Sequence, residues 1–261
     1  MADGDLQGEG VTAFKDIVTP AEWNALHQLN EEGRLNDRVC VLWRAGNTMA
    51  SAEGALAEMR KASPSPRDYQ RGLLASCGAK IFMDGSAISR TAWSYQPWMK
   101  DGVEENGNTG YPDVAPDVYR QMVRLFHRAG ISVGTHAIGE RAIDRVVDTY
   151  AEIERETPTR GLRHSIIHAY LPTVHAVEVM AALEKQYDAG YPEVQPVFLW
   201  WLGKSMPPNF GAERLARTMP LRTYLEHGVR WAAGTDYGVG GHSAPLSYIV
   251  AQNNIRTGST P

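Results

Sequence analysis

Short apolar runs alternate with helical patterns along the whole chain. Residues 10–17 (GVTAFKDI) predict a buried strand, and a Thr-Pro pair then opens a helix over 20–32. Residues 37–45 (DRVCVLWRA), rich in β-formers, predict the next strand, and an alanine-rich helix follows over 51–61. Pro64 and Pro66 interrupt the pattern before another short helix. Residues 78–87 (GAKIFMDGSA) read as a strand running into a glycine turn. The stretch 85–112, with Gly, Asn, Pro, Trp93, Tyr95 and Trp98, is long enough to be a lid or binding loop.

Beyond it the alternation resumes. An amphipathic helix over 117–129 ends at Gly130, the strand ISVGTHA follows, and residues 140–154 are helical. Then come a strand at 165–169, a helix at 173–187 and a strand at 193–199. A Trp- and Gly/Pro-rich loop leads to a helix at 221–227 and a last strand at 229–236. A glycine loop (238–241) and a helical start near Pro245 complete the pattern. The order predicts a parallel sheet with helices outside. It supplies seven strands, one short of the eight that close a barrel.

In such folds the loops after the strands carry the chemistry. Lys80, His136, His168 and Asp236 each sit at or near the end of a predicted strand. A lone histidine there is usually structural. Two at equivalent ends of successive strands, about 4.8 Å apart, can share one zinc-sized ion. Asp236 before a glycine loop is either a cap or a carboxylate able to bind metal and accept a proton from water. Lys80, flanked by Ala79 and Ile81, must snorkel, pair with a carboxylate such as Asp84, or react with carbon dioxide to give an anionic carbamate ligand. Arg90, Trp98 and His242 are candidates for contact with substrate at the mouth. His27, His127, His175 and His227 fall in helical patterns and read as surface or packing residues, with His164 intermediate.

Composition narrows the class. Of 261 residues, 43% are hydrophobic and 21% charged, as in a soluble globular protein. A net charge of -4 offers no broad basic face for nucleic acid or anionic lipid. Residues 1–10 lack the pattern of a signal peptide, and the expectation is a cytoplasmic protein without a membrane span. Cys40 and Cys77 lie in apolar runs and read as two buried thiols rather than a disulfide.

KIFMDGSAISRTA, THAIGERAID, RHSIIHA, Gln195-Pro196 and GTDYGV, in this order, resemble the amidohydrolase superfamily. Within it the resemblance is to amidohydrolase family 3, which includes N-substituted formamide deformylase-like enzymes. It implies a metal-dependent (β/α)8 TIM barrel, with 1–261 as one domain truncated at both ends and strands two to eight present. Lys80 would be the carboxylated fourth-strand ligand, and His136 and His168 the fifth- and sixth-strand ligands. Asp236 would bind metal and shuttle the proton. The implied cofactor is one or two divalent ions, zinc first, with iron or manganese as alternatives. The implied reaction is hydrolysis of a non-peptide amide or formamide-like C–N bond of a small molecule by a metal-activated hydroxide. The first-strand HxH pair and the tail after Pro261 do not occur in this sequence. Ile167 stands where the family usually has Glu, and Glu140 where it has Asp. The rival expectation is therefore an inactive truncated barrel serving as a scaffold or binding protein. Homo-oligomerisation stays open.

Overall fold

A computed structural model of the chain describes residues 8, 10–62, 72–203, 205–237 and 244–257. The expected short helix after Pro66, the glycine loop at 238–241 and His242 lie outside these residues. Strands β1 (Ala13–Val18), β2 (Arg38–Arg44), β3 (Leu74–Phe82), β6 (Ser132–Ala137), β7 (Ser165–His168), β8 (Tyr191–Val194) and β9 (Ala232–Ala233) form one sheet, paired in that order and parallel throughout. The other two strands, β4 (Met99–Lys100) and β5 (Val103–Glu104), make a small hairpin inside the long loop.

The sheet curls. Lys15 on β1 forms an ion pair with Glu193 on β8, five strands away in the pairing order. Helices α1 (Pro20–Glu31), α2 (Met49–Ala62), α3 (Pro116–Arg128), α4 (Glu140–Glu156) and α5 (Val174–Tyr187) connect successive main-sheet strands from β1 to β8. Four short helices, α6 (Val197–Trp201), α7 (Met206–Phe210), α8 (Ala212–Ala216) and α9 (Leu221–Glu226), fill the segment before β9, and α10 (Ala244–Thr257) follows it.

Local chemistry explains the helix boundaries. Thr19 caps α1 in a reciprocal box with Glu22, and Pro20 occupies the first turn, where its missing N–H costs nothing. On α4, Ala142, Ile143, Val146, Val147, Tyr150 and Ile153 recur at helical spacing and are all buried. Thr173 caps α5 by accepting from the Ala176 N–H.

Between α3, α4 and the sheet runs a buried hydroxyl chain. Tyr119 Oη and Thr135 Oγ1 are 2.9 Å apart, and Thr135 Oγ1 and Tyr150 Oη 2.7 Å. The Tyr150 hydroxyl proton is shared by the Val133 and Ser165 carbonyls at 3.2 and 3.1 Å, which fixes the chain's direction. It ties two outer helices to adjacent strands at positions where an unmet polar group would be costly.

Several expectations need correction. Cys40 and Cys77 are joined in a disulfide. Register runs Val41↔Ser76 and then Leu42↔Gly78, so Cys77 is the extra residue of a β-bulge that brings it beside Cys40. The predicted strand 193–199 ends at Val194. Pro196 has no N–H to give a ladder, and the chain turns there into α6, with Phe198 N–H bonded to Gln195 O. Of the predicted strand 229–236, only Ala232–Ala233 pairs. Among the described residues, no helix is long and apolar enough to cross a membrane.

Replacing Tyr150 by Phe should lower stability by about 1–2 kcal/mol in urea unfolding, because the Thr135 hydroxyl and two carbonyls lose their shared partner. An unchanged unfolding midpoint would show that the hydroxyl chain contributes nothing.

Candidate active site

The ends of β3, β6 and β7 converge inside the curl. Register sets Phe82 beside His136 and Ala137 beside His168. The two imidazoles meet edge to face, with centroids 4.5 Å apart. Phe82 packs on His136 at 5.1 Å, and Lys80 Nζ lies 4.8 Å above the Phe82 ring. Lys80, His136 and His168 are all buried. The backbone is strained here, since His168, Ala169 and Asp236 have φ of 77°, 47° and 50° without being glycine.

Each histidine has one nitrogen committed. His136 Nε2 donates to Gly85 O at 2.9 Å, and His168 Nδ1 donates to Gln195 Oε1 at 2.6 Å. The Gln195 amide is oriented by its own Nε2–H bond to Glu193 O at 3.0 Å. Burial holds both rings neutral. It draws His136 down to about 4, with the Lys80 charge adding to the effect, and His168 well below the usual histidine range. The lone pairs are therefore on His136 Nδ1 and His168 Nε2.

Lys80 is the third member. Burial pulls its ammonium down to about 7, the nearby Glu193 charge pushing back and Lys15 pulling the same way. A large fraction is then the free amine near neutral pH. Asp84, weighed as a partner for Lys80, is used differently. Its carboxylate accepts from the N–H groups of Trp93 (2.9 Å), Gly139 (2.9 Å) and Ile138 (3.1 Å). Burial pushes that carboxyl up to about 7 against those donors. Gly139 has to be glycine, because a Cβ there would lie 2.2 Å from Trp93 O.

Asp236 lies three residues after β9 and is exposed. Its charge reaches Lys80, although its carboxylate does not join the two histidines in a cluster of ligand atoms within 4.8 Å. Arg90 is held by Glu105 at 2.7 Å and Asn209 at 3.2 Å. Trp98 is fully buried, donating to Ala92 O at 2.7 Å with the Arg214 guanidinium 4.4 Å over its ring. Both residues shape the long loop. Gln195, which holds the His168 ring, and Asp84, which gathers three backbone donors, were not among the expected site residues. Their only sequence signals were the Gln-Pro pair and an aspartate closing an apolar strand.

Among the described residues, one group of three His, Cys, Asp or Glu side chains does bring its ligand atoms within 4.8 Å: His127, Glu154 and His164. It lies at the opposite, N-terminal end of the strands. There Val133 N–H donates to His164 Nδ1 (3.0 Å), His164 Nε2 meets His127 Nδ1 (2.9 Å), and His127 Nε2 meets Thr157 O (2.7 Å). The ring proton of His164 is thus on Nε2, the atom an ion would need, and the cluster works as a hydrogen-bonded clamp.

A curled parallel sheet with helices outside, bringing two neutral imidazoles and a buried amine together at its C-terminal strand ends, defines a barrel-type α/β fold. The chain belongs to the amidohydrolase family, whose model matches residues 4–258. It is 27% identical over 157 residues to the putative amidohydrolase YtcJ of Bacillus subtilis, covering 60% of this chain and 27% of that protein. The fold matches an uncharacterized metal-dependent hydrolase from Pyrococcus furiosus with a TM-score of 0.75 and 23% identity, over 95% of this chain and 47% of that one. A second uncharacterized metal-dependent hydrolase, from Pyrococcus horikoshii, matches with a TM-score of 0.77 and 21% identity, over 99% and 48%. The chain therefore spans about half, or less, of the proteins it resembles.

Glu154 gives the N-terminal clamp a pH signature. Burial pushes its carboxyl from 4.5 up to about 7. A raised carboxyl favours the fold most below the unfolded value, and that contribution is lost as pH rises through about 7. Urea midpoints at pH 5 and pH 8 should therefore differ more in the native protein than in Glu154→Gln. Parallel behaviour of the two would sink this account.

Proposed function

We propose that this chain carries the metal-binding and proton-transfer residues of a hydrolase acting on a non-peptide, amide-like C–N bond of a small molecule. One observation carries the reading. Two neutral imidazoles in edge-to-face contact are locked in opposite tautomers, and the charge of a buried lysine near its neutral form reaches both. Ligating histidines are typically held in this way, by an acceptor on the far ring nitrogen.

The residues present fit a divalent ion. His136 Nδ1, His168 Nε2 and Lys80, as its carbamate, would hold it, and nitrogen with carboxylate-type oxygen suits zinc first, then iron or manganese. Such an ion, when bound, polarises a carbonyl and lowers the pKa of water toward about 7. The chain's own residues do the rest. Phe82 and the ring packing exclude water behind the histidines. Asp236, exposed at the mouth, takes the proton released on attack and returns it to the leaving nitrogen. The substrate would enter beneath the long loop that Arg90 and Trp98 hold in shape.

The test is metal content and hydrolysis of N-formyl and N-acyl amines by the full chain with zinc, iron or manganese supplied. Activity should be lost to a chelator and restored by metal. His136→Ala should lower bound metal at least tenfold and activity at least a hundredfold. A protein that takes up no metal and hydrolyses none of these compounds would instead be a scaffold. Chelator-resistant activity would point to a barrel enzyme without a metal.

A further inference from the structure

We infer that Gln195 is a positioning residue that selects the Nδ1–H tautomer of His168 and thereby sets how tightly the site holds a divalent cation. The inference rests on the metal-hydrolase reading and adds to it a residue with no other assigned role.

A neutral imidazole carries one proton for two nitrogens, and the partner of one nitrogen decides the chemistry of the other. An isolated imidazole of this type favours the proton on Nε2. On His168 that choice would put the hydrogen on Nε2, the nitrogen not engaged by Gln195 and so the one left to bind an ion. The structure imposes the reverse. Gln195 Oε1 lies 2.6 Å from Nδ1, and an amide oxygen can only accept. The amide cannot flip to present its NH2 group without giving up the bond from Nε2–H to Glu193 O. Gln195 is itself buried, so no bulk water competes for the imidazole N–H. Local backbone makes the placement specific. β8 stops at Val194, Pro196 ends the ladder, and Gln195 is the turn residue that swings toward β7.

His136 is treated differently. Its Nε2–H is held by the main-chain oxygen of Gly85, which no side-chain substitution removes. The Asp84 carboxylate lies farther off, 3.6 Å from the same nitrogen, whereas His168 Nδ1 is held by the Gln195 side chain. Gln195→Met keeps the length and bulk of the side chain and removes the acceptor. Gln195→Glu keeps an acceptor at the same reach.

The test uses the full chain with 15N-labelled histidine. In the metal-free native protein, the nitrogen shifts of His168 should report Nδ1–H. In Gln195→Met they should move toward Nε2–H, and zinc affinity should fall about 10- to 100-fold with unfolding midpoints near native. Gln195→Glu should restore both the tautomer and the affinity. Nδ1–H retained in Gln195→Met, or a tautomer change that leaves zinc affinity unaltered, would overturn the assignment. A native protein with the Nδ1–H tautomer and no zinc binding would instead refute the metal reading. The tautomer and zinc measurements thus separate the two failures.

Discussion

Asp84 holds the working end of the molecule together. One buried carboxylate gathers the Trp93 amide from the long loop and the Ile138 and Gly139 amides from the turn between β6 and α4. Three backbone donors on one acceptor fix where the loop lies, and the loop in turn caps a helix: Trp93 O accepts from the Arg141 and Ala142 N–H groups at the start of α4. Unmet donors at a helix start are satisfied here by a carbonyl rather than a side chain. The next residue, Gly85, holds the His136 ring through its own carbonyl. Loop position, helix start and imidazole orientation therefore share one origin. A charge change at Asp84 would disturb all three together.

A second layer of polar order tightens the mouth. Arg214, on α8, reaches Glu140 at 3.1 Å, Ser94 Oγ at 3.0 Å and Gln96 O at 2.9 Å, and lies over the Trp98 ring. Arg217 adds a bond to the same Glu140 oxygen at 3.0 Å. Buried ion pairs of this kind give geometry more than net stability, because desolvation offsets most of the Coulombic gain. Here the geometry clasps the loop to the first turn of α4. Glu140, where the family usually has Asp, is thus a structural hub in this chain.

The parallel alternation was legible because strands and helices have different apolar periods. Lys80, His136 and His168 were legible because each sits at or near the end of such a run. Contacts across long separations were not. Gln195 acts on a histidine 27 positions away, and nothing in its neighbourhood says which way its amide faces. The disulfide was misread for a related reason. Pairing alone sets Cys40 opposite Ala75, and only a bulge, which has no sequence marker here, brings Cys77 alongside. β8 was overextended because VFL after Pro196 has the composition of a strand, while the missing N–H sends the chain into a helix. Asp236 was expected to close the last strand but lies three residues beyond it, and sequence could not show that its carboxylate does not join the two histidines in one cluster of ligand atoms.

The bulged disulfide has a consequence for the strand that carries the lysine. Cys40, Cys77, Leu42, Ala75 and Ile167 form one small apolar cluster, separate from the main core. Three residues after Cys77 the same strand presents Lys80. The cross-link ties that strand to β2 just before the lysine, so the two strands cannot part there and the amine is carried on a covalently braced support.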